Sequence, residues 1–205
     1  MRAMIIERVV DVSKEEPLKP IDMPVPEPEE NQVLIKISAC GVCRTDLDEI
    51  EGRTPPAVYP VILGHQVIGE IVDSGEKAHN FKKGDRVGIG WIFKSCGVCE
   101  YCASGNENLC DFFVATGRDV NGGYAEYIVA YEDFVFKIPD SFSDIDAAPL
   151  LCAGSIGWRS IRLSGLKNGY TVGLYGFGAS GHIVIQIIRY LYPDTRVFVF
   201  TRSEK

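Results

Sequence analysis

The chain has 205 residues, of which 46% are apolar and 24% charged, with a formal net charge of -7. That length buries a proper core as one domain or two small ones. An acidic balance disfavours phosphate backbones and anionic lipid, so nucleic acid and membrane partners are not expected.

The N-terminus, MRAMIIERVV, shows no apolar segment leading to a small-residue cleavage site. The apolar stretch HIVIQIIRYLY is too short and too polar to span a bilayer. A cytoplasmic protein is therefore expected, and in that reducing compartment dense cysteines point to a metal site or to catalysis before disulfides. Seven cysteines also leave one unpaired in any disulfide scheme.

Taken in chain order, the first 35 or so residues combine a short strand pattern with PLKPIDMPVPEPEENQ, a proline-punctuated segment that reads as extended and turning. VLIKISACGV reads as a strand. VIGEIVDSG, GDRVGIGWI and GGYAEYIVAYEDFVFKIP are alternating or β-branched runs bounded by glycine and aspartate. A β-rich region with long loops results.

From about Asp144 the character changes. SDIDAAPLLCAGSIGWRSIRLSGL reads as one helical stretch with Ser143 as N-cap and Gly165 as stop. TVGLYG follows as a strand, ASGHIVIQIIRYLY as a helix ended by Pro193, and RVFVF as a second strand. Together these make one βαβ unit.

Four cysteines, Cys96, Cys99, Cys102 and Cys110, fall in the loop SCGVCEYCASGNENLC with the spacing C-x2-C-x2-C-x7-C. The short steps turn successive thiolates toward one point, and the later cysteine closes a tetrahedron around zinc. With all four positions filled by thiolate, such a site is structural. Iron-sulfur runs continue with a shorter x3-C-P step, which is absent here, and disulfides are the third reading.

Cys40 and Cys43 form a C-x-x-C pair that is open to a thioredoxin-like or a plain buried-thiol reading. His65, in VILGHQVIGE, is equally compatible with a core histidine. A catalytic zinc takes three protein ligands and leaves a fourth position open, Cys2His being one known set. Spacing alone does not bring residues 43, 65 and 152 together.

GVCRTD, GHQVIGEIVDSG, GDRVGIG, the cysteine loop, GGYAEY, APLLCAG and GFGASG occur in an order and spacing that resembles the zinc-dependent medium-chain alcohol dehydrogenases. The resemblance covers essentially the whole chain. It implies a mixed β and α/β fold: a GroES-like catalytic domain with two zinc sites over residues 1–153, then the first βαβ unit of a Rossmann domain over 154–205.

The same resemblance implies a catalytic zinc on Cys43, His65 and Cys152, with Cys40 a non-ligand, and a structural zinc on the four-cysteine loop. Thr45 would hold the alcohol proton, Asp46 would orient His65 through its other ring nitrogen, and Arg44 would contact the cofactor pyrophosphate. Two departures stand out. Gln66 replaces a glutamate found in many members, and Asp48 stands where some place a proton-relaying histidine, which leaves the proton's exit undefined.

Gly176, Phe177, Gly178, Ala179, Ser180 and Gly181 spell G-x-G-x-x-G between a predicted strand and helix, the context that holds a pyrophosphate. After the next strand, Thr201 replaces the acidic residue that suits NAD, and Arg202 suits a 2'-phosphate. NADP(H) is expected over NAD(H), with a small-molecule alcohol or aldehyde as substrate. Ile156 and Trp158 are candidate walls of the substrate pocket.

A full doubly wound domain has about six strands, whereas this chain supplies two. An incomplete domain, as in a truncated form, is therefore expected, with a homo-oligomer implied for the full-length family fold. An inactive zinc-binding remnant is the alternative to an enzyme.

Overall fold

A computed structural model describes residues 1–202. The chain divides into two compact units, Met1–Leu151 and Cys152–Lys205.

The first unit opens with β1 (Arg2–Ile6) and β2 (Lys19–Asp22), an antiparallel pair. Pro20 is compatible with β2 because that strand pairs on one side only. β3 (Gln32–Cys40) is followed by a short helix, α1 (Arg44–Ile50), for which the polar sequence RTDLDEI shows no clear apolar period. β4 (Val61–Ile62) joins the far side of β1.

β5 (Val67–Ser74), β6 (Arg86–Ile89), β7 (Ile92–Lys94) and α2 (Glu100–Ala103) come next. β8 (Val114–Ala115), β9 (Tyr127–Tyr131) and β10 (Val135–Lys137) complete the unit's strands. The main sheet is antiparallel in the order β10-β6-β5-β3-β9. Register shifts after Leu34 and Ile37 bend the β3–β5 pair. Val33, Ile35, Val67, Ile71, Val87, Ile89, Ile128 and Val135 form the core that this curvature encloses.

The stretch from Ser143 is not one helix. Ser143 does cap α3 (Asp144–Ala147), its hydroxyl accepting from the Asp146 N–H at 3.2 Å, but a 3-10 turn over Ala148–Leu151 follows. Pro149 has no N–H to continue an α-helical ladder. Ala147 and Ala148 are buried against Ile68, with Leu151 packed on the same cluster, so the turn is pinned to the main sheet. A separate helix, α4 (Ala153–Ser164), starts after Cys152 and ends at Gly165, whose φ of 65° is a left-handed stop.

In the second unit β11 (Thr171–Tyr175) and β12 (Arg196–Phe200) pair in parallel across α5 (Ala179–Leu191). Ile161 of α4 and Val184 and Ile188 of α5 share a core with Val172, Leu174 and Val197 of the strands. No helix among the described residues is long and apolar enough to cross a membrane.

Candidate metal centres

The four-cysteine loop connects β7 to β8 and holds Cys96, Cys99, Cys102 and Cys110 with all sulfur atoms within 4.8 Å of one another. Cys96 Sγ lies 3.8 Å from Cys102 Sγ, and Cys99 Sγ lies 3.5 Å from Cys102 Sγ. Sulfurs arranged tetrahedrally at a zinc–sulfur bond of about 2.3 Å stand about 3.8 Å apart, so the cluster fits zinc. The Cys99 N–H donates to Cys96 Sγ at 3.4 Å and the Cys96 N–H to Cys110 Sγ at 3.5 Å. Amides of Val98 and Cys99 hold the Cys96 thiol down at about 6, in favour of the thiolate that a metal needs. All seven cysteines are free thiols, which removes the disulfide reading.

A second group joins residues that are far apart in sequence. The ligand atoms of Cys43, His65 and Cys152 also lie within 4.8 Å of one another. Cys43 is the N-cap of α1 and Cys152 the N-cap of α4, so each thiol stands at a helix start. Cys152 is held there because it is peptide-bonded to the pinned Ala148–Leu151 turn.

Backbone crowding sets His65. Gly64 before it has φ +95°, and a Cβ there would come within 2.7 Å of the Tyr124 ring. The Gly122 backbone lies so close that a Cβ would approach the Gly64 carbonyl to 2.2 Å. The N–H groups of Gly123 and Tyr124 donate to Gly64 and Leu63 carbonyls at 2.8 and 2.9 Å. The glycines of GHQ and GGYAEY thus serve one close contact that fixes the His65 backbone.

The ring of His65 is fully buried, and neither of its nitrogens has a hydrogen-bond partner among the described residues. Nδ1 stands 3.4 Å from Asp46 Oδ1, an ion-pair distance that is long for a hydrogen bond. The other oxygen of Asp46 accepts the Cys43 N–H at 2.6 Å, closing the first turn of α1. One buried carboxylate therefore caps the helix that carries Cys43 and faces the ring of His65. Burial alone would lower the imidazole's affinity for a proton, but Asp46 and Cys43 outweigh it and hold the group up at about 9. An orphaned Nε2 beside two thiols is what a Cys2His zinc site requires.

Asp46→Asn keeps an oxygen for the cap but removes the charge facing His65. Metal affinity at this centre is expected to fall about 10- to 100-fold, read by competition with a chromogenic chelator. Unchanged affinity would show that Asp46 serves only α1.

Around this group, Thr45 Oγ1 lies 3.6 Å from Cys43 Sγ. Gln66 is buried, its carbonyl accepting the Gly41 N–H at 2.9 Å. Cys40 belongs to neither group, and burial pushes its thiol up to about 12. Asp48 points to the surface, where its Oδ1 accepts from Arg53 Nε at 2.6 Å and from Arg44 Nε at 3.3 Å.

Three neighbours escape a reading of the sequence. The ring of Trp91 meets His65 edge-on at 5.0 Å, and the Arg118 guanidinium lies 5.4 Å above Trp91 while pairing with Asp119. Glu49 on α1 is completely buried. The only sequence signal for Glu49 is its i, i+3 spacing from Asp46 on a helix that composition does not announce.

In the second unit, Gly176 turns with φ +92° and Gly178 is the N-cap of α5. A Cβ on Gly181 would stand 3.1 Å from the Gly176 carbonyl, so the third glycine permits the tight strand-to-helix approach. The first-turn amides of α5, over Ala179, Ser180 and Gly181, lack intrahelical partners as at any helix start. The Phe177 ring lies 4.0 Å from that of His182. Tyr175 pairs in register with Phe200, and the Gly176 N–H donates to the Phe200 carbonyl at 2.8 Å. The strand register therefore sets Thr201 and Arg202, both exposed, next to the glycine turn. Ile156 and Trp158 are exposed on α4.

Residues 29–140 match the family described as the alcohol dehydrogenase GroES-like domain. A probable alcohol dehydrogenase of Mycobacterium tuberculosis is 43% identical over 194 residues, covering 92% of this chain and 56% of that protein. An alcohol dehydrogenase of Geobacillus stearothermophilus is 45% identical over 162 residues, covering 78% of this chain and 48% of its own length. Among solved structures, CAD from Helicobacter pylori complexed with NADP(H) superposes with a TM-score of 0.88 at 30% identity, covering 99% of this chain and 59% of that one. The chain thus spans about half the length of the curated relatives it matches. With its GroES-like fold and its cysteine sites suited to zinc, the chain belongs to the zinc-dependent alcohol dehydrogenase family of medium-chain dehydrogenases.

Proposed function

We propose that this chain carries the metal centre and the pyrophosphate turn of a zinc-dependent, NADP(H)-linked oxidoreductase that interconverts an alcohol with its aldehyde or ketone. The observation that supports it most is the convergence of Cys43, His65 and Cys152, with Thr45 3.6 Å from the first of them. When bound, zinc supplies a Lewis acid that polarises the substrate oxygen, and the nicotinamide supplies or accepts hydride.

The chain's own residues do the rest. Cys43, His65 and Cys152 would hold the zinc as a Cys2His set, which as a three-ligand site is suited to a catalytic rather than a structural metal. Asp46 orients the His65 ring. Thr45 Oγ1 would hydrogen-bond the substrate oxygen, taking its proton as its own hydroxyl proton passes outward, and the reverse in reduction. Cys96, Cys99, Cys102 and Cys110 hold a second, structural zinc, giving two per chain. Gly176, Gly178 and Gly181, with Phe177, Ala179 and Ser180 between them, cradle the pyrophosphate.

NADP(H) is favoured because Thr201 places no carboxylate opposite the turn and Arg202 offers a guanidinium to a 2'-phosphate. Titrating the zinc-loaded chain with NADPH and following nicotinamide fluorescence tests this. Saturable binding is expected, about tenfold or more tighter than for NADH, and Arg202→Ala is expected to erase the difference. No binding by a folded, zinc-loaded sample would favour a metal-binding remnant without turnover.

A further inference from the structure

The turn that follows β8 places a cation beside the metal centre. Within it the Gly117 N–H donates to the Val120 carbonyl at 2.9 Å and the Asp119 N–H to the Ala115 carbonyl at 3.0 Å, while the Asp119 carboxylate accepts the Ala115 N–H at 2.8 Å. These bonds fix its shape. Gly117 has φ +82°, and a Cβ there would stand 2.9 Å from the Gly64 nitrogen, so its backbone packs directly on the residue before His65. The Thr116 N–H also donates to the Trp91 carbonyl at 2.9 Å. Both contacts hold Arg118 close to the pair of His65 and Trp91.

The guanidinium of Arg118 lies 5.4 Å from the centre of the Trp91 ring and 5.4 Å from that of Phe113, and Trp91 in turn meets His65 edge-on at 5.0 Å. Glu49, on the helix that carries Thr45, also acts on its charge. Only part of its hydrogen-bonding capacity is used. A guanidinium has five N–H donors; here Nε and Nη2 donate to Asp119 at 2.8 and 2.7 Å, and Nη1 has no partner among the described residues. The side chain is 26% exposed, which leaves room for a ligand. An arginine stacked on aromatic rings is weakly hydrated, and its planar fork matches a carboxylate at two points.

We propose that Arg118 binds a carboxylate at the far end of the substrate, so that the preferred alcohols and aldehydes are hydroxy acids and oxo acids of short chain. This rests on the reading of Cys43, His65 and Cys152 as the reaction centre. The reacting oxygen would lie at that centre, the carbon chain against Trp91, and the carboxylate on the donors of Arg118 that Asp119 leaves unused. A carboxylate suits the site better than a phosphate dianion, because one positive charge already shared with Asp119 cannot balance two negative ones.

Calorimetric titration of the zinc-loaded chain with 4-hydroxybutanoate and with its neutral counterpart, 4-hydroxybutanamide, tests this without turnover. The acid should bind about 10- to 100-fold tighter, the worth of a hydrogen bond to a charged group. Arg118→Gln should remove the preference, and Arg118→Lys, which keeps the charge but not the fork, should retain part of it. Asp119→Asn still offers an oxygen to the Ala115 N–H and frees the guanidinium, so it should bind the acid more tightly than the wild type does. Equal affinity for acid and amide, no saturable binding of the acid, or a preference that survives in Arg118→Gln overturns the proposal. Weaker binding in Asp119→Asn also overturns it. Where the chain turns over, Arg118→Gln should lower kcat/KM for 4-oxobutanoate about tenfold or more relative to butanal. Binding of the acid through Arg118 without hydride transfer upholds this inference and sinks the proposed reaction, whereas reduction of both aldehydes with equal kcat/KM sinks this inference alone.

Discussion

Cys110→Ser is expected to cost the chain one zinc equivalent and to open the loop between β7 and β8 without unfolding the main sheet. Cys110 is the buried member of its cluster, at 2% exposure, while the other three are half-buried. The loop has little else to order it: α2 spans four residues, the 3-10 turn at Glu107–Leu109 spans three, and neither contains a buried residue. Val98 and Phe112 are 86% and 75% exposed, so no apolar core replaces a lost metal.

Structural zinc contributes an apparent 10–16 kcal/mol or so to isolated zinc-finger peptides, which are unfolded without it. Here that contribution acts on the loop, because the five-stranded sheet has its own core. Limited proteolysis should therefore cut within residues 95–113 of the variant and spare the rest, with metal analysis showing one equivalent fewer. A protease-resistant loop of unchanged metal content would count against a zinc tetrathiolate.

At the other centre, His65→Asn should remove the second equivalent and, with it, any hydride transfer, a loss of about 1,000-fold or more by analogy with removal of a principal electrostatic stabiliser. The stability cost is expected to be smaller, about 1–3 kcal/mol, because Asp46 loses the ring but keeps the Cys43 N–H at 2.6 Å. Cobalt substitution reports the ligands directly, since thiolate and imidazole shape the visible spectrum. The spectrum of this centre should disappear in His65→Asn and persist in Thr45→Val, which keeps all three ligands and loses only the proton carrier. Retention of the spectrum in His65→Asn would exclude His65 as a ligand.

The two centres were unequally legible in the sequence, for a geometric reason. Cys96, Cys99, Cys102 and Cys110 lie within fifteen residues, so C-x2-C steps alone bring their sulfurs together. Cys43, His65 and Cys152 pointed nowhere by spacing, and only the family resemblance grouped them. The helices show the same contrast. α5 announced itself by periodicity and by Pro193, whereas α1 is seven residues of mostly polar sequence. The stretch from Ser143 looked like one helix because composition does not show that Ala147, Ala148 and Leu151 pack on Ile68 and force a 3-10 turn.

Short-range pattern therefore determined the strand-rich first unit, the βαβ character of the second, the four-cysteine loop and the glycine turn, since each depends on neighbours within a few residues. Tertiary structure alone decided which distant thiols meet His65, that one carboxylate of Asp46 serves both a helix cap and an imidazole, and that Glu49 is sealed from water. Those facts depend on the approach of Gly64 to Gly122 and on the pinned turn before Cys152, contacts between segments that a linear pattern does not connect.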